Sequence, residues 1–246
     1  FFNKQTLEKY IYLDMMKFKV KEILFVATLY DAFALEKEDG FFEKFMGSIY
    51  QYSLFSLPRI TGVSSHEQAL ELLETMSFDL VVLMVGIDTQ TPLMLGKTIK
   101  EQRVNLPVYL LLNQKTHVQL LEELSGRSSA FDKLFLWNGD SQILFAMVKT
   151  LEDRVNVDND TKVGLVRAIL LIEDSVHFYS KYLPYFYSIV FDQIKELVSE
   201  YKMNELDKIS KIRSRPKILW AQNYEEALYL FNTYKDFLSC IISDVE

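Results

Sequence analysis

The chain has 246 residues, 49% hydrophobic and 25% charged, enough apolar material for two small packed domains or one large one, so disorder is not the default. Lys plus Arg number 27 and Asp plus Glu 34, a formal charge of −7, which argues against nucleic acid or an anionic membrane as the main partner because phosphate binding needs a basic surface. No apolar run approaches the roughly 20 residues that span a bilayer, and no basic-then-apolar signal peptide opens the sequence. The one cysteine, Cys240, sits in the apolar run Cys240-Ile241-Ile242. It can form no internal disulfide, is expected to be buried, and fits a reducing, cytoplasmic compartment. The sequon Asn159-Asp160-Thr161 is then idle. The start at Phe1-Phe2, without methionine, hints at a piece of something longer.

Asn3 to Phe18 reads as a helix, with Leu7, Ile11, Met15 and Phe18 at helical spacing. It is either the end of a coiled coil or a helix packed on its own domain. Ile23-Leu24-Phe25-Val26 is a short continuous apolar run, as expected of a parallel strand buried on both faces. A helix is expected over Phe41 to Tyr52 and a second strand over Arg59 to Val63. Ser64 or Ser65 can cap the next helix, with Glu67 near its start and Ala69, Leu70, Leu72 and Leu73 on its apolar face. Strands follow over Leu80 to Val85, Val108 to Leu112 and Lys133 to Trp137. Helices are expected over Thr91 to Arg103, in the polar stretch before Lys133, and over Ser141 to Arg154. Alternating strands and helices imply a parallel sheet covered on both faces.

The polar run from Val155 to Lys162 reads as part of a linker over 156–167, and the pattern then restarts. Ala168 to Ile172 is a strand, and a long helical stretch runs from about Val176 to Ile212, interrupted or kinked near Pro184. Lys217 to Trp220 is a strand, Tyr224 to Tyr234 a helix and Ser239 to Ser243 a strand. The halves form an internal repeat. Ile23-Leu24-Phe25-Val26 matches Ile169-Leu170-Leu171-Ile172, and Pro58-Arg59-Ile60 matches Pro216-Lys217-Ile218. Glu67-x-Ala69-Leu70-x-Leu72 matches Glu225-x-Ala227-Leu228-x-Leu230. With a two-residue gap, Leu80-Val81-Val82-Leu83 falls on Cys240-Ile241-Ile242-Ser243.

Glu173-Asp174 directly follows the first strand of the second copy, and Asp244 ends its third. In an open parallel sheet, ligands bind beyond the carboxyl ends of the strands where strand order reverses. With order 2-1-3 all three carboxylates converge on one rim. They repel one another unless a cation is present, and a hard divalent ion such as Mg²⁺, which keeps several waters, suits such a site. An acidic pair at a strand end is, by itself, more often a solvated turn; it is Asp244 at the matching position of the repeat that favours the functional reading.

Ile169-Leu170-Leu171-Ile172-Glu173-Asp174-Ser175 and Ile241-Ile242-Ser243-Asp244-Val245 resemble the receiver domains of two-component response regulators. The resemblance implies flavodoxin-like, doubly wound parallel sheets in tandem, the second copy incomplete, over 21–155 and 168–246. It implies that Asp244 is the phosphoacceptor, that Asp174 with Glu173 assisting holds Mg²⁺, and that the backbone carbonyl of Glu246 is a further metal ligand. Receivers also carry a Ser or Thr after strand four and a Lys after strand five. The sequence reaches Glu246 before either, and the expectation is that the native protein continues past it.

The first copy has lost this chemistry. The acidic pair becomes Ala27-Thr28, the phosphoacceptor position is Met84, the hydroxyl position is Leu112, and the Lys-Pro position is Trp137-Asn138. The first copy is therefore expected to be a pseudo-receiver with a structural or interaction role. Asp31 caps a following helix in this reading, and Glu36, Glu38 and Asp39 form a solvated turn ending at Gly40. Tyr30-Asp31-Ala32-Phe33, Leu35-Glu36, Glu38-Asp39-Gly40 and Val176-x-Phe178-Tyr179-Ser180 also look like tandem receiver regions at the head of large proteins, some with a phosphoenolpyruvate synthase-like region downstream.

No P-loop or dinucleotide-binding glycine motif occurs, His66-Glu67 lacks the second histidine of a zinc-protease helix, and His66, His117 and His177 have no partner cysteines. There is no nucleophile elbow. Phe178, Tyr179, Tyr182, Tyr185, Phe186, Tyr187 and Phe191 surround one helix, so part of that helix is a candidate interface for a homodimer or another domain. The leading expectation is a phosphorelay module loaded by a histidine kinase or small phosphodonor, read by downstream domains of the same protein, and not an independent enzyme. The alternatives are a purely structural tandem scaffold and a regulatory segment of a larger phosphoenolpyruvate synthase-like enzyme.

Overall fold

The computed structural model describes residues 11–27, 58–86, 88–112, 130–140, 142–200 and 205–244. The expected helix over 41–52, the helix before Lys133, the Asp31 cap, the 36–40 turn, Thr28, His117 and Glu246 lie outside them. By contact the chain divides into two units, Val20–Leu144 and a second made of the residues up to Lys19 together with those from Phe145 onward.

In the first unit, β1 (Glu22–Val26), β2 (Arg59–Val63), α1 (His66–Thr75), β3 (Leu80–Val85), α2 (Gln90–Gln102), β4 (Val108–Leu112) and β5 (Lys133–Leu136) follow one another among the described residues. The five strands are parallel, in the order β2-β1-β3-β4-β5, the doubly wound flavodoxin-like arrangement. β3 and β4 are buried at every residue while edge strand β2 is not, which is why the inner strands read as unbroken apolar runs. Ser65 is the N-cap of α1, its Oγ accepting from Gln68 N. α2 buries Pro92, Leu95, Gly96 and Ile99. Gly96 is required by close approach, because a Cβ there would run into the Ala130 carbonyl and the Leu83 side chain. Asp79 secures the start of the sheet, its Oδ2 accepting from Lys21 N (2.7 Å) and Glu22 N (3.0 Å).

The second unit holds most of α3 (Gln142–Gly164), then β6 (Ala168–Ile172), α4 (Val176–Glu200), α5 (Glu205–Arg213), β7 (Lys217–Ala221), α6 (Tyr224–Tyr234) and β8 (Leu238–Ser243). Its three strands are parallel in the order β7-β6-β8. The register repeats that of the first sheet. Ile23 pairs with Ile60 and Leu80, and Ile169 pairs with Ile218 and Cys240. The flanking bonds repeat as well: Ala27 N donates to Val63 O at 3.1 Å and Glu173 N to Ala221 O at 3.0 Å. The residue alignment read from the sequence is thus the alignment of the strands in space. One face of this sheet packs Ala168, Leu170, Leu219 and Ala221 against Ala227, Leu230 and Tyr234 of α6 and Val157 of α3.

Four expectations need correction. The stretch 156–164, read within a linker, is the C-terminal part of α3, which runs unbroken to Gly164. Three of its polar residues are buried rather than solvated: Asn156, Asp160 and Thr161 are each at most 2% exposed, while Asp158 and Lys162 face solvent. Asn156 Oδ1 accepts from Phe18 N, and Asp160 Oδ1 accepts from Met16 N, both at 2.9 Å. Those same bonds end the N-terminal helix early. Helical backbone stops at 13, Met16 takes a φ of 49°, and 16–20 is not helical, so the helix does not reach Phe18. The long helical stretch is not interrupted at Pro184, which lies inside α4; α5 follows from Glu205, and 201–204 lie outside the described residues. Finally, Cys240 is exposed, because β8 is an edge strand exposed over 239–241.

Two ion pairs lie in the interior of the second unit. Arg215 makes a bidentate pair with Asp153 of α3 (2.9 and 2.5 Å), and both side chains are 0% exposed. Asp153 also accepts from Tyr187 Oη (3.1 Å) and Ile218 N (2.9 Å). The guanidinium lies 5.0 Å from the Phe191 ring centroid. Burial, then the Asp153 carboxylate, pushes the Tyr187 phenol well up. Lys217 Nζ lies 2.8 Å from Asp160 Oδ2. Arg215 and Lys217 flank Pro216 at the start of β7, so α3 fixes where that strand begins.

Candidate functional site

β6 delivers Glu173 and Asp174 to its carboxyl end, and the neighbouring β8 delivers Asp244. Glu173 is buried, 3% exposed. Its backbone N–H extends the ladder to β7, and its Oε1 accepts from Ser175 N (3.1 Å) just before α4 begins. The buried Trp220 indole N–H donates to the Glu173 carbonyl at 3.0 Å, and the ring packs on Tyr179 of α4 with centroids 4.1 Å apart. The acidic turn is therefore held from two sides. Asp174 and Asp244 are exposed on the rim.

One carboxylate oxygen from each of Glu173, Asp174 and Asp244 lies within 4.8 Å of the others. Among the described residues this is the one cluster of three or more acidic, His or Cys side chains. The donors are hard oxygens, as Mg²⁺ requires. Two direct Mg²⁺ ligands at about 2.1 Å can be no more than about 4.2 Å apart. The set fits the ion after a small side-chain closure, or with one ligand acting through water. Glu173, Asp174 and Asp244, singled out in the sequence, are brought together. Glu246, the fourth ligand expected, lies outside the described residues.

The rim opens onto a cavity of about 460 Å³ between β6, β8 and α6. Asp174, Asp244, Gln222 and Asn223 line it together with the apolar Leu170, Phe231 and Ile241. The N-terminus of α6 faces it already capped: Asn223 Oδ1 accepts from Glu226 N (2.8 Å) and Glu226 Oε2 from Gln222 N (3.1 Å).

Register gives the corresponding positions in the first sheet. Glu173 corresponds to Ala27 and Asp244 to Met84, both buried. Trp220 corresponds to Gly62, where an added Cβ would meet no atom within 4 Å. Leu112 and Trp137 are buried as well. Sequence reasoning missed Trp220 as a support of the acidic turn. The signal was present, since the copy that keeps the carboxylates has Trp where the copy that lost them has Gly.

No protein-family model matches the chain, and no curated protein does. Among solved structures, it is similar to the signal receiver domain of an HD domain-containing protein from Pseudomonas fluorescens Pf-5, at 17% identity and a TM-score of 0.39, covering 58% of this chain and 99% of that one. The strand order, independent of that likeness, gives the fold.

Proposed function

We propose that the second unit is a phosphoacceptor receiver module and that the first is a pseudo-receiver without phosphoryl chemistry. The observation that carries this reading is the convergence of Glu173, Asp174 and Asp244 at the ends of adjacent strands. Asp174 and Asp244, with Glu173 behind them, would hold Mg²⁺. The ion supplies charge neutralisation for an incoming phosphoryl group. An Asp244 carboxylate oxygen attacks the phosphorus of a phosphohistidine or acyl phosphate. A new O–P bond forms, and the donor's N–P or O–P bond breaks with its electron pair leaving on the donor. The product is an acyl phosphate on Asp244.

Buried Glu173 orients the turn that presents Asp174, through its bond from Ser175 N. In the first unit, Ala27 and Met84 offer neither a nucleophile nor a metal ligand. The partners in this reading are a histidine kinase or small phosphodonor, with output through other domains of the same protein. Mg²⁺ titration of the protein tests the site. Saturable binding at millimolar Mg²⁺, lost in Asp174→Asn and in Asp244→Asn, is expected. Absence of binding in the folded protein, or binding unchanged by both variants, refutes the reading and leaves a structural tandem scaffold.

A further inference from the structure

α4 carries more apolar surface than the core of its own unit uses. One face packs inward, where Tyr179, Leu183 and Tyr187 are all 0% exposed. The opposite face carries Phe178, Tyr182, Tyr185 and Ile189, which are 47%, 39%, 63% and 37% exposed. Their spacing of four, three and four residues lines them up in one stripe along the helix. The Phe178 and Tyr182 rings lie 5.9 Å apart and 10° from parallel, so the stripe begins as a flat aromatic surface. Contiguous exposed apolar surface marks an interaction site. A stripe of this spacing is the seam along which a second helix stays in contact, crossing at about 20°.

The charges beside the stripe say which helix. Lys181 and Asp192 lie eleven residues apart, about three helical turns, and therefore on the same flank of the stripe. Glu196 follows Asp192 one turn later. The stripe thus has a cation near its N-terminal end and acids near its C-terminal end. A parallel second copy of α4 would set Lys181 beside Lys181 and Asp192 beside Asp192. In an antiparallel pair the same flanks meet with their order reversed, and Lys181 of each copy comes within reach of Asp192 of the other. With the twofold axis between 185 and 186, Tyr182 meets Ile189 of the second copy and Tyr185 meets Phe186. The charges of α4 are complementary to themselves in that direction.

The size of the stripe sets the strength. At about 200 Å² for a whole aromatic side chain, Phe178, Tyr182 and Tyr185 leave roughly 300 Å² bare on each helix. Two copies would cover about 600 Å² of it, short of the roughly 1,200 Å² at which stable interfaces begin, so the pairing is weak and shows at high protein concentration.

We propose that α4 pairs antiparallel with α4 of a second copy of this chain through this stripe, with Lys181 and Asp192 facing each other across the twofold axis. The pairing goes beyond the phosphoacceptor reading and does not depend on it.

The test is sedimentation equilibrium of the whole chain at low salt over a wide range of concentration. A monomer–dimer equilibrium is expected. Tyr185→Glu abolishes it; Ile189→Lys serves the same purpose if the first variant does not fold by circular dichroism. Lys181→Glu and Asp192→Lys each weaken the dimer about fivefold to tenfold, because each puts two like-charged pairs in place of two opposite ones. The double variant Lys181→Glu with Asp192→Lys returns to the affinity of the parent, since both pairs are again opposite. A chain that stays monomeric at every concentration leaves the face to another domain or another protein and overturns the proposal. A dimer that survives Tyr185→Glu overturns it too. Single charge variants that dimerise like the parent, as a parallel pair would, or a double variant no tighter than the singles, would do the same.

Discussion

Replacing Arg215 with methionine should unfold the second unit at much lower denaturant. The change keeps most of the side-chain volume and removes the charge. Asp153 is 0% exposed and, among the described residues, would keep the Tyr187 hydroxyl and the Ile218 N–H as donors. Breaking one partner of a buried pair costs about 3–5 kcal/mol, because the remaining charge has no water to turn to. With a urea slope of about 2 kcal/mol/M, that is a shift of roughly 2 M in the midpoint. Trp220 reports on the second unit and Trp137 on the first, so urea melts followed by fluorescence in a Trp137→Phe background isolate the effect. Asp153→Leu combined with Arg215→Met should be far less destabilised than Arg215→Met alone, since no charge is then stranded. A loss below about 1 kcal/mol for the single variant, the scale of an exposed pair, would refute the claim that this pair is buried and integral.

Three further outcomes follow from particular contacts. Trp220→Phe keeps a ring against Tyr179 but removes the donor to the Glu173 carbonyl, so Mg²⁺ affinity measured by titration should fall about threefold to tenfold while the urea midpoint changes little; unchanged affinity would deny Trp220 a positioning role. Cys240 should react fully with Ellman's reagent in the native protein, and protection until unfolding would contradict an exposed β8. Gly96→Ala should destabilise the first unit by about 1–3 kcal/mol in urea melts, because its methyl meets backbone, whereas Gly62→Ala on the edge strand should be nearly neutral; equal effects would contradict the α2 packing.

The strands were legible because the buried ones are continuous apolar runs, and Leu80–Val85 and Val108–Leu112 fall where those runs fall. The repeat went further: it aligned Ile23 with Ile169 and Leu80 with Cys240, and the two sheets pair those residues in the same way, Ile23 with Leu80 and Ile169 with Cys240. The acidic cluster was legible because strand ends in a 2-1-3 order must meet. What failed was the reading of polarity as solvation. Asn156, Asp160 and Thr161 look like a linker only if their partners are water, and those partners are backbone groups near residue 16 and within α3, together with Lys217. The converse error was Cys240, whose apolar neighbours lie on a strand with one paired edge. Neither could be corrected by periodicity, because both depend on contacts between segments far apart in sequence.

The most direct test of the central claim is the intact mass of the protein, expressed with whatever its gene encodes beyond Glu246, before and after incubation with Mg²⁺ and acetyl phosphate. The account predicts a gain of one phosphoryl group, absent in Asp244→Asn and absent when Mg²⁺ is chelated. No gain in the folded, Mg²⁺-supplied protein, or a gain that persists in Asp244→Asn, would contradict it.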